Sequence, residues 1–551
     1  MSPAETPGTS TPPAPWRRDL LVLALGFGIL VFLGLGRAPL GNPDEGRYAE
    51  IPREMIASGD WVTPRLDGVA YFEKPPLMYW AVAACIEAFG PNAWAVRTAP
   101  ALFALAGILL TYAAARKLRG REAGLWSAVV LGTSVLYFGL AHLPIIDMAV
   151  SVLMAAALFS FILGVREPPG TRRRLLFYGL YAAAALATLA KGLIGFVLPG
   201  AVMFLWLLIF DQWKRLRPFH LPTGLLLFLA VAAPWHLAVA SRNPSWAHFY
   251  FVHEHWERFT TTEHGRVGPW WYFVPVVILG LFPWIGFLQP ALGSALAGGW
   301  SRRRENADAW FLVVWAAFIF LFFSKSQSKL IPYILPVFPP LAVLIGSGIP
   351  GIGPRGRDRA MMGFRCLCGL IAAAALVAVF KPGLIRDPVA AAELRPWAVA
   401  VAAILVAGGF LARRPAGVAA TGALFLSALV LAEPLIPLRS TKPLAIELRE
   451  LVRPGDRVFS YHEFFHDFTF YAGRTVDVVA FQGELEPQND PRAREEGRFV
   501  TETDFRRIWD GPGRVFAVAR KSDVAELFAS PGFHYRLLGE TRDATLFSNQ
   551  P

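Results

Sequence analysis

Long apolar runs, each closed by a short polar stretch, repeat along the chain from Leu20 to Glu433. A helix needs about 17–25 mostly apolar residues to cross a bilayer core. Segments of that kind lie near 19–36, 92–116, 122–140, 147–164, 175–190, 192–210, 221–240, 270–289, 308–323, 330–348, 360–380, 396–412 and 416–433. The pattern therefore predicts a polytopic α-helical membrane protein with about thirteen spans. Glu54 to Ala57 and Leu77 to Phe89 read as shorter helices lying along the interface in the first loop. After Glu433 the character changes. Strand-like runs at Arg457–Ser460, Val476–Val479 and Arg514–Val518 alternate with helix-like segments at Leu444–Leu451 and Ser522–Phe528. The expected organisation is a disordered tail over 1–18, a membrane domain over 19–433 and a small α/β domain over 434–551.

Composition agrees with that division. Of the 551 residues, 54% are hydrophobic and 17% charged, with a mean hydropathy of +0.42. A soluble chain would carry roughly a quarter charged residues. The first run, Leu20 to Leu35, follows Arg17-Arg18 and lacks a small-residue cleavage site, so it reads as an uncleaved span. Cys85, Cys366 and Cys368 all sit in apolar runs, which leaves neither a disulfide framework nor a zinc spacing.

The net charge of +12 belongs to alternate loops. Arg116 to Arg121, Arg172-Arg173-Arg174, Lys214 to Arg217, Arg302-Arg303-Arg304, Arg355 to Arg359 and Arg413-Arg414 form one series with the N-terminus. The positive-inside rule places that series in the cytoplasm. An odd number of spans then puts the C-terminal domain on the opposite face. Since the basic loops face away from the candidate chemistry, nucleic acid is not an expected partner.

The opposite face collects the ionisable groups that lipid would exclude. Gly41–Pro76 carries Asp44, Glu45, Arg47, Glu50, Arg53, Glu54, Asp60, Arg65, Asp67, Glu73 and Lys74. Pro43 stops a continuing helix and leaves Asp44-Glu45 at the end of a span, and Glu73-Lys74-Pro75-Pro76 repeats the device at the next apolar entrance. A solvated connecting loop is the plain reading; the proline-bounded charges point to a site at the membrane interface. Glu45 is expected to do no more than cap the interfacial helix. Asp147 opens a span, where capping alone accounts for an aspartate. Lys191 lies in a tight turn, where snorkelling is the default.

The loop from Ser241 to Pro269 holds His253, Glu254, His255 and Arg258. Imidazole and carboxylate suit zinc, but His253-Glu254-His255 does not have the HExxH spacing of a zinc protease. Ser324 to Tyr333 is a cationic turn, with Lys325 and Lys329, that breaks the positive-inside trend and so suits an anion. Cations at headgroup level fit a lipid-linked phosphate, and nearby carboxylates can orient a sugar, bind a cation or act as a base. No Walker lysine loop or GxSxG elbow is present.

Taken in order, Asn42-Pro43-Asp44-Glu45-Gly46-Arg47-Tyr48, Phe72 to Trp80, Asp147, Glu254-His255-x-x-Arg258-Phe259, and Ser324-Lys325 through Lys329-Leu330-x-Pro332-Tyr333-x-Leu335-Pro336 resemble the bacterial aminoarabinose transferases. These are GT-C superfamily enzymes related to the protein O-mannosyltransferases. The resemblance covers essentially the whole chain. It implies transfer of 4-amino-4-deoxy-L-arabinose from undecaprenyl phosphate to a lipid A phosphate at the periplasmic face of the bacterial inner membrane, with resistance to cationic peptides such as polymyxin.

The same resemblance implies that Asp44 and Asp147 are catalytic or substrate-orienting. Arg47, Lys74, Lys191, Arg258 and Tyr333 would hold the carrier phosphate, with Lys325 and Lys329 as further substrate contacts. Glu73 and one of His253 or His255 match a metal position, with zinc the candidate and no cofactor strictly required. Two alternatives remain. One is a GT-C transferase using another lipid-linked sugar, such as mannose, with a protein hydroxyl or other glycolipid acceptor. The other is a transporter, whose ionisable residues belong near the bilayer midplane rather than crowded on one face.

Overall fold

The computed structural model describes residues 16–250, 268–381, 383–385, 388–435, 440–481, 483–485 and 496–550. Helices form at each of the apolar segments. Among the described residues, eight are long and apolar enough to cross a membrane: Ala93–Arg119, Ile146–Arg166, Leu221–Arg242, Ala307–Lys325, Ile331–Gly348, Pro354–Phe380, Val389–Leu411 and Pro415–Leu435. Two bent pairs raise the number to 10. The expected count of about thirteen is not reached by length and composition. Trp16–Phe32 and Ile194–Phe210 are helices of 17 residues each. Thr171–Lys191 carries Arg172-Arg173-Arg174 at one end and Lys191 at the other, which shortens its apolar stretch.

The two bent pairs support one another. Arg121–Gly132 and Val135–Ala141 meet at 65°, and Phe273–Gly280 and Ile285–Ala295 meet at 96°. Each break frees backbone groups that lipid cannot satisfy. Val135 N–H donates to the Phe282 carbonyl at 3.2 Å, and the fully buried Trp284 donates Nε1–H to Thr133 Oγ1 at 2.8 Å. The breaks are thus sealed inside protein.

The first loop is more helical than its charges suggest. Asp44–Ser58 is one helix of 15 residues, preceded by Pro43 and tolerating Pro52 inside it, whereas the sequence pointed only to Glu54–Ala57. Its charges pair locally at i,i+3, Asp44 with Arg47 and Glu50 with Arg53. A short hairpin follows, β1 (Arg65–Leu66) against β2 (Val69–Ala70), then the helix Leu77–Phe89 as expected.

Glu45 does far more than cap. It lies buried against Arg97, which is 1% exposed. The guanidinium gives Nε–H and Nη2–H to the Glu45 carboxylate at 2.8 and 2.9 Å. Its other bonds go to the carbonyls of Leu35 and Ala38 from Nη1, at 3.0 and 2.9 Å, and of Pro39 from Nη2, at 3.0 Å. All five donors of the side chain are used. Gly41 N–H adds a bond to Glu45 Oε2 at 2.7 Å. The turn leading into the Asp44–Ser58 helix is therefore wound around one buried cation.

The C-terminal region folds as a six-stranded sheet of β3 (Arg457–Tyr461), β4 (Asp477–Val479), β5 (Phe499–Val500), β6 (Val515–Arg520), β7 (Arg536–Glu540) and β8 (Ala544–Ser548), in the order β5-β4-β3-β6-β8-β7. The first four strands in that order run parallel, and β8 runs antiparallel to both β6 and β7. Parallel neighbours need crossovers, here supplied by helices including His466–Ala472 and Glu502–Trp509.

His466–Ala472 docks on the first-loop helix. A Cβ on Gly46 would stand 2.5 Å from Asp467 N, so only glycine permits the approach. Asn42 and Asp467 exchange side-chain and backbone bonds, Leu40 N–H donates to Tyr471 Oη at 2.9 Å, and Val476 N–H donates to Asp67 Oδ1 at 2.9 Å.

Replacing Glu45 with alanine removes both short carboxylate bonds of the buried Arg97 and leaves only Glu433, at 3.9 Å, as a counter-charge, a loss of about 3–5 kcal/mol. Thermal unfolding of the detergent-solubilised variant should show a much lower midpoint; a midpoint within a degree or so of the parent would contradict the role given to this pair.

Candidate functional site

Two polar groups come from different parts of the chain, and the first of them touches the docked C-terminal region through Arg47 and Glu484. The first is built on the Asp44–Ser58 helix and the segment before Leu77. Asp44, in the first helical turn, is exposed, and one turn later Arg47 reaches back to its Oδ1 at 3.1 Å. The rest of the Arg47 guanidinium faces Glu484: Nε–H donates to Oε1 at 3.0 Å and Nη2 lies 2.7 Å from Oε2. His466 Nε2 bonds the same Glu484 Oε1. Burial opposes the Glu484 charge, but His466 and Arg47 together hold its carboxyl below the usual range. Burial likewise opposes the Arg47 charge, while Tyr71, Glu484 and Glu73 more than offset it. Lys74 Nζ lies 3.7 Å from Glu73 Oε2 and donates to the Glu73 carbonyl at 2.7 Å.

The second group joins two spans and a turn. Lys191 ends the helix Thr171–Lys191, and Gly192 at φ 76° lets the chain reverse immediately. The Lys191 ammonium pairs with Asp147 Oδ1 and lies 4.4 Å from the centre of the Tyr333 ring. Side-chain exposures of 12% and 10% for Lys191 and Asp147 exclude simple snorkelling into solvent. Nor does Asp147 cap its helix, since the N-cap is Ile145 with no side-chain cap bond. The carboxylate is committed to the lysine.

Between the groups stand two buried aromatic rings. Tyr48 stacks on Tyr79 with centroids 5.6 Å apart. The Tyr48 hydroxyl is pushed well above the ordinary tyrosine range, first by burial and then by Tyr79, Asp147 and Glu73, with Arg47 opposing. That hydroxyl therefore senses a carboxylate from each group and a cation from the first. The arrangement gathers cations from two parts of the chain about a buried aromatic pair, a charge pattern suited to a sugar carried on a phosphate.

The remaining candidates are placed differently. Lys325 is exposed, while Lys329 is buried and donates to the Ser326 carbonyl at 2.5 Å, so the two do not form a single patch. His253, His255 and Arg258 lie outside the described residues. Among the described residues, no cluster of three or more His, Cys, Asp or Glu side chains is arranged to hold a metal, and Glu73 has Lys74 beside it. Glu484 and His466 were not foreseen. Nothing in their local sequence marks them, because their partner Arg47 is 437 positions away from Glu484.

The profile of the dolichyl-phosphate-mannose-protein mannosyltransferase family matches residues 73–237. An undecaprenyl phosphate-alpha-4-amino-4-deoxy-L-arabinose arabinosyl transferase of Aeromonas salmonicida is 32% identical over 388 residues, covering 70% of each chain. The protein of that name from Pectobacterium carotovorum is 36% identical over 344 residues, covering 62% of this chain and 61% of its own length. The match thus spans less than two thirds of that relative. The crystal structure of ArnT from Cupriavidus metallidurans bound to undecaprenyl phosphate superposes with a TM-score of 0.85 at 29% identity, covering 96% of this chain and 98% of the other.

Asp147→Asn and Lys191→Met should each destabilise the protein by about 3–5 kcal/mol, because each strands a partly buried partner. The double variant should lose clearly less than the sum. Additive losses in thermal unfolding would mean the two side chains are not coupled.

Proposed function

The chain belongs to the undecaprenyl phosphate-α-4-amino-4-deoxy-L-arabinose arabinosyl transferase family, and we propose that it moves 4-amino-4-deoxy-L-arabinose from undecaprenyl phosphate to a phosphate of lipid A. The observation that carries this reading is that Tyr48, stacked on Tyr79, lies within electrostatic reach of Arg47 and Glu73 on one side and of Asp147 on the other, where Asp147 holds Lys191 and Lys191 faces the Tyr333 ring. The site would lie at the periplasmic face of the inner membrane, opposite the basic loops and the N-terminus. The division into a tail, a membrane domain to residue 433 and a periplasmic domain from 434 is part of the same proposal.

In the reaction the bond between the anomeric carbon and the carrier phosphate oxygen breaks, and its electron pair leaves with undecaprenyl phosphate. An oxygen of the acceptor phosphate forms the new bond. Arg47, Lys74 and Lys191, with Arg258 by family motif, would take up the charge on the leaving phosphate. Tyr333 confines Lys191 through its ring face. A phosphate monoester has its second pKa near 6, so the acceptor is already largely ionised at neutral pH and needs little help from a base. Asp44 then serves better to orient the sugar or to steady positive charge developing at the anomeric carbon. Lys325, which is exposed, is assigned to the approach of the anionic lipids, while Lys329, buried and donating to the Ser326 carbonyl, holds the turn beside it. A zinc ion held by Glu73 and one of His253 or His255 stays within the proposal as a structural or positioning element, and no step depends on it.

A cationic sugar on lipid A would reduce the negative charge of the outer surface and weaken binding of cationic peptides, polymyxin included. A second reading is supported by the mannosyltransferase profile over residues 73–237: a lipid-linked hexose passed to a protein hydroxyl. A hydroxyl acceptor requires a base, and Asp44 would be its candidate.

Mass spectrometry of lipid A from cells lacking and then expressing the protein separates the readings. The expected result is a pentosamine addition that depends on the protein and is lost in Asp44→Asn. Unmodified lipid A alongside newly hexosylated protein would replace the first reading with the second.

A further inference from the structure

Among the described residues of the candidate site, Arg47 is the only side chain whose guanidinium is gripped from the C-terminal region. Three of its five N–H groups are engaged: Nε–H and one on Nη2 by Glu484, and one on Nη1 by Asp44. The Glu484 contact is two-pronged, which fixes the plane of the guanidinium as well as its position. Glu484 is itself held, since its Oε1 also takes a bond from His466 Nε2, and the His466 ring is only 8% exposed. His466 in turn sits on the helix whose backbone touches Gly46, one residue from Arg47. Backbone docking and side-chain bracing thus act on the same spot. Without Glu484, the nearest carboxylates able to draw the cation are Asp44 on its own helix and Glu73 across the site, and either would turn the guanidinium away from its present direction.

Resting on the proposed reaction, we infer that Glu484, braced by His466, is a positioning residue that sets the Arg47 guanidinium so that its two remaining N–H groups meet the carrier phosphate. The C-terminal region then completes the transfer centre rather than merely covering it. Specificity for the phosphate comes from geometry, because a bidentate-held arginine presents its remaining donors in one plane.

The test uses the full-length protein in nanodiscs, with undecaprenyl phosphate alone as the binding probe and sugar transfer as the second readout. Glu484→Gln keeps the shape and removes the charge, so it should weaken undecaprenyl phosphate binding and lower kcat/KM for the donor by about tenfold or more, as misplaced contacts typically do. KM for the acceptor should stay unchanged. Glu484→Asp should recover part of the loss, and His466→Gln should show a smaller loss of the same kind. In an Arg47→Ala background, Glu484→Gln should cost nothing further, because its effect runs through Arg47. Losses that add in the double variant, or a Glu484→Gln protein that binds and turns over donor like the parent, would overturn the inference. Absence of undecaprenyl phosphate binding by the parent protein would instead overturn the functional reading on which it rests.

Discussion

The buried Arg97 guanidinium is the constraint on which the polar end of the molecule depends. A charge that far from water is tolerated only when paired and fully hydrogen-bonded. Arg97 achieves this by drawing in the Glu45 carboxylate and the carbonyls of Leu35, Ala38 and Pro39. Four partners from one short stretch leave that stretch a single path. Asp44 and Arg47 flank Glu45 on the same helix, so the bond network inside the protein also sets where the charges proposed to act on substrate emerge.

From that anchored helix the structure extends in two directions. Toward the spanning helices, Tyr48 stacks on Tyr79 and comes within electrostatic reach of Asp147, the partner of Lys191. Away from it, Gly46 and Asn42 receive the helix His466–Ala472. Asp467 is fully buried there and is met by Asn42, Ser440 and Thr441, with bonds of 2.7 Å from the last two. A buried carboxylate so well satisfied holds two chain regions in fixed register. The C-terminal region therefore sits on the loop as a fitted part, and it contributes Glu484 to the polar group around Arg47.

Much of this was legible in the sequence, for reasons that can be named. Apolar runs bounded by basic loops locate helices well, because lipid forbids other backbone arrangements. The number of crossings was less legible. The bends near Thr133 and Pro283 and the charged ends of Thr171–Lys191 blur where one span stops. In the C-terminal region the buried strands β3, β4 and β6 stood out as β-branched and aromatic runs, whereas β5, β7 and β8 did not. The Asp44–Ser58 helix was under-read because its charges and Pro52 imitate a loop; its pairing is visible only once the packing is known. For Asp147 and Lys191 the local sequence offers only a cap and a snorkelling head, beside the roles the resemblance implies, and hides that each is the other's partner across 44 positions. Glu484 and His466 carried no local signal at all. Residues whose role is set by long-range partners are the ones a single sequence conceals.

These charges are proposed to form a transfer centre for a lipid-linked amino sugar whose acceptor is itself a phosphate. Purified protein in nanodiscs, supplied with the undecaprenyl phosphate-linked sugar, can be offered lipid A and lipid A stripped of its phosphates in parallel. The account predicts a pentosamine addition to the phosphorylated acceptor and none to the stripped one. Equal transfer to both, which would require attack by a hydroxyl, would contradict it.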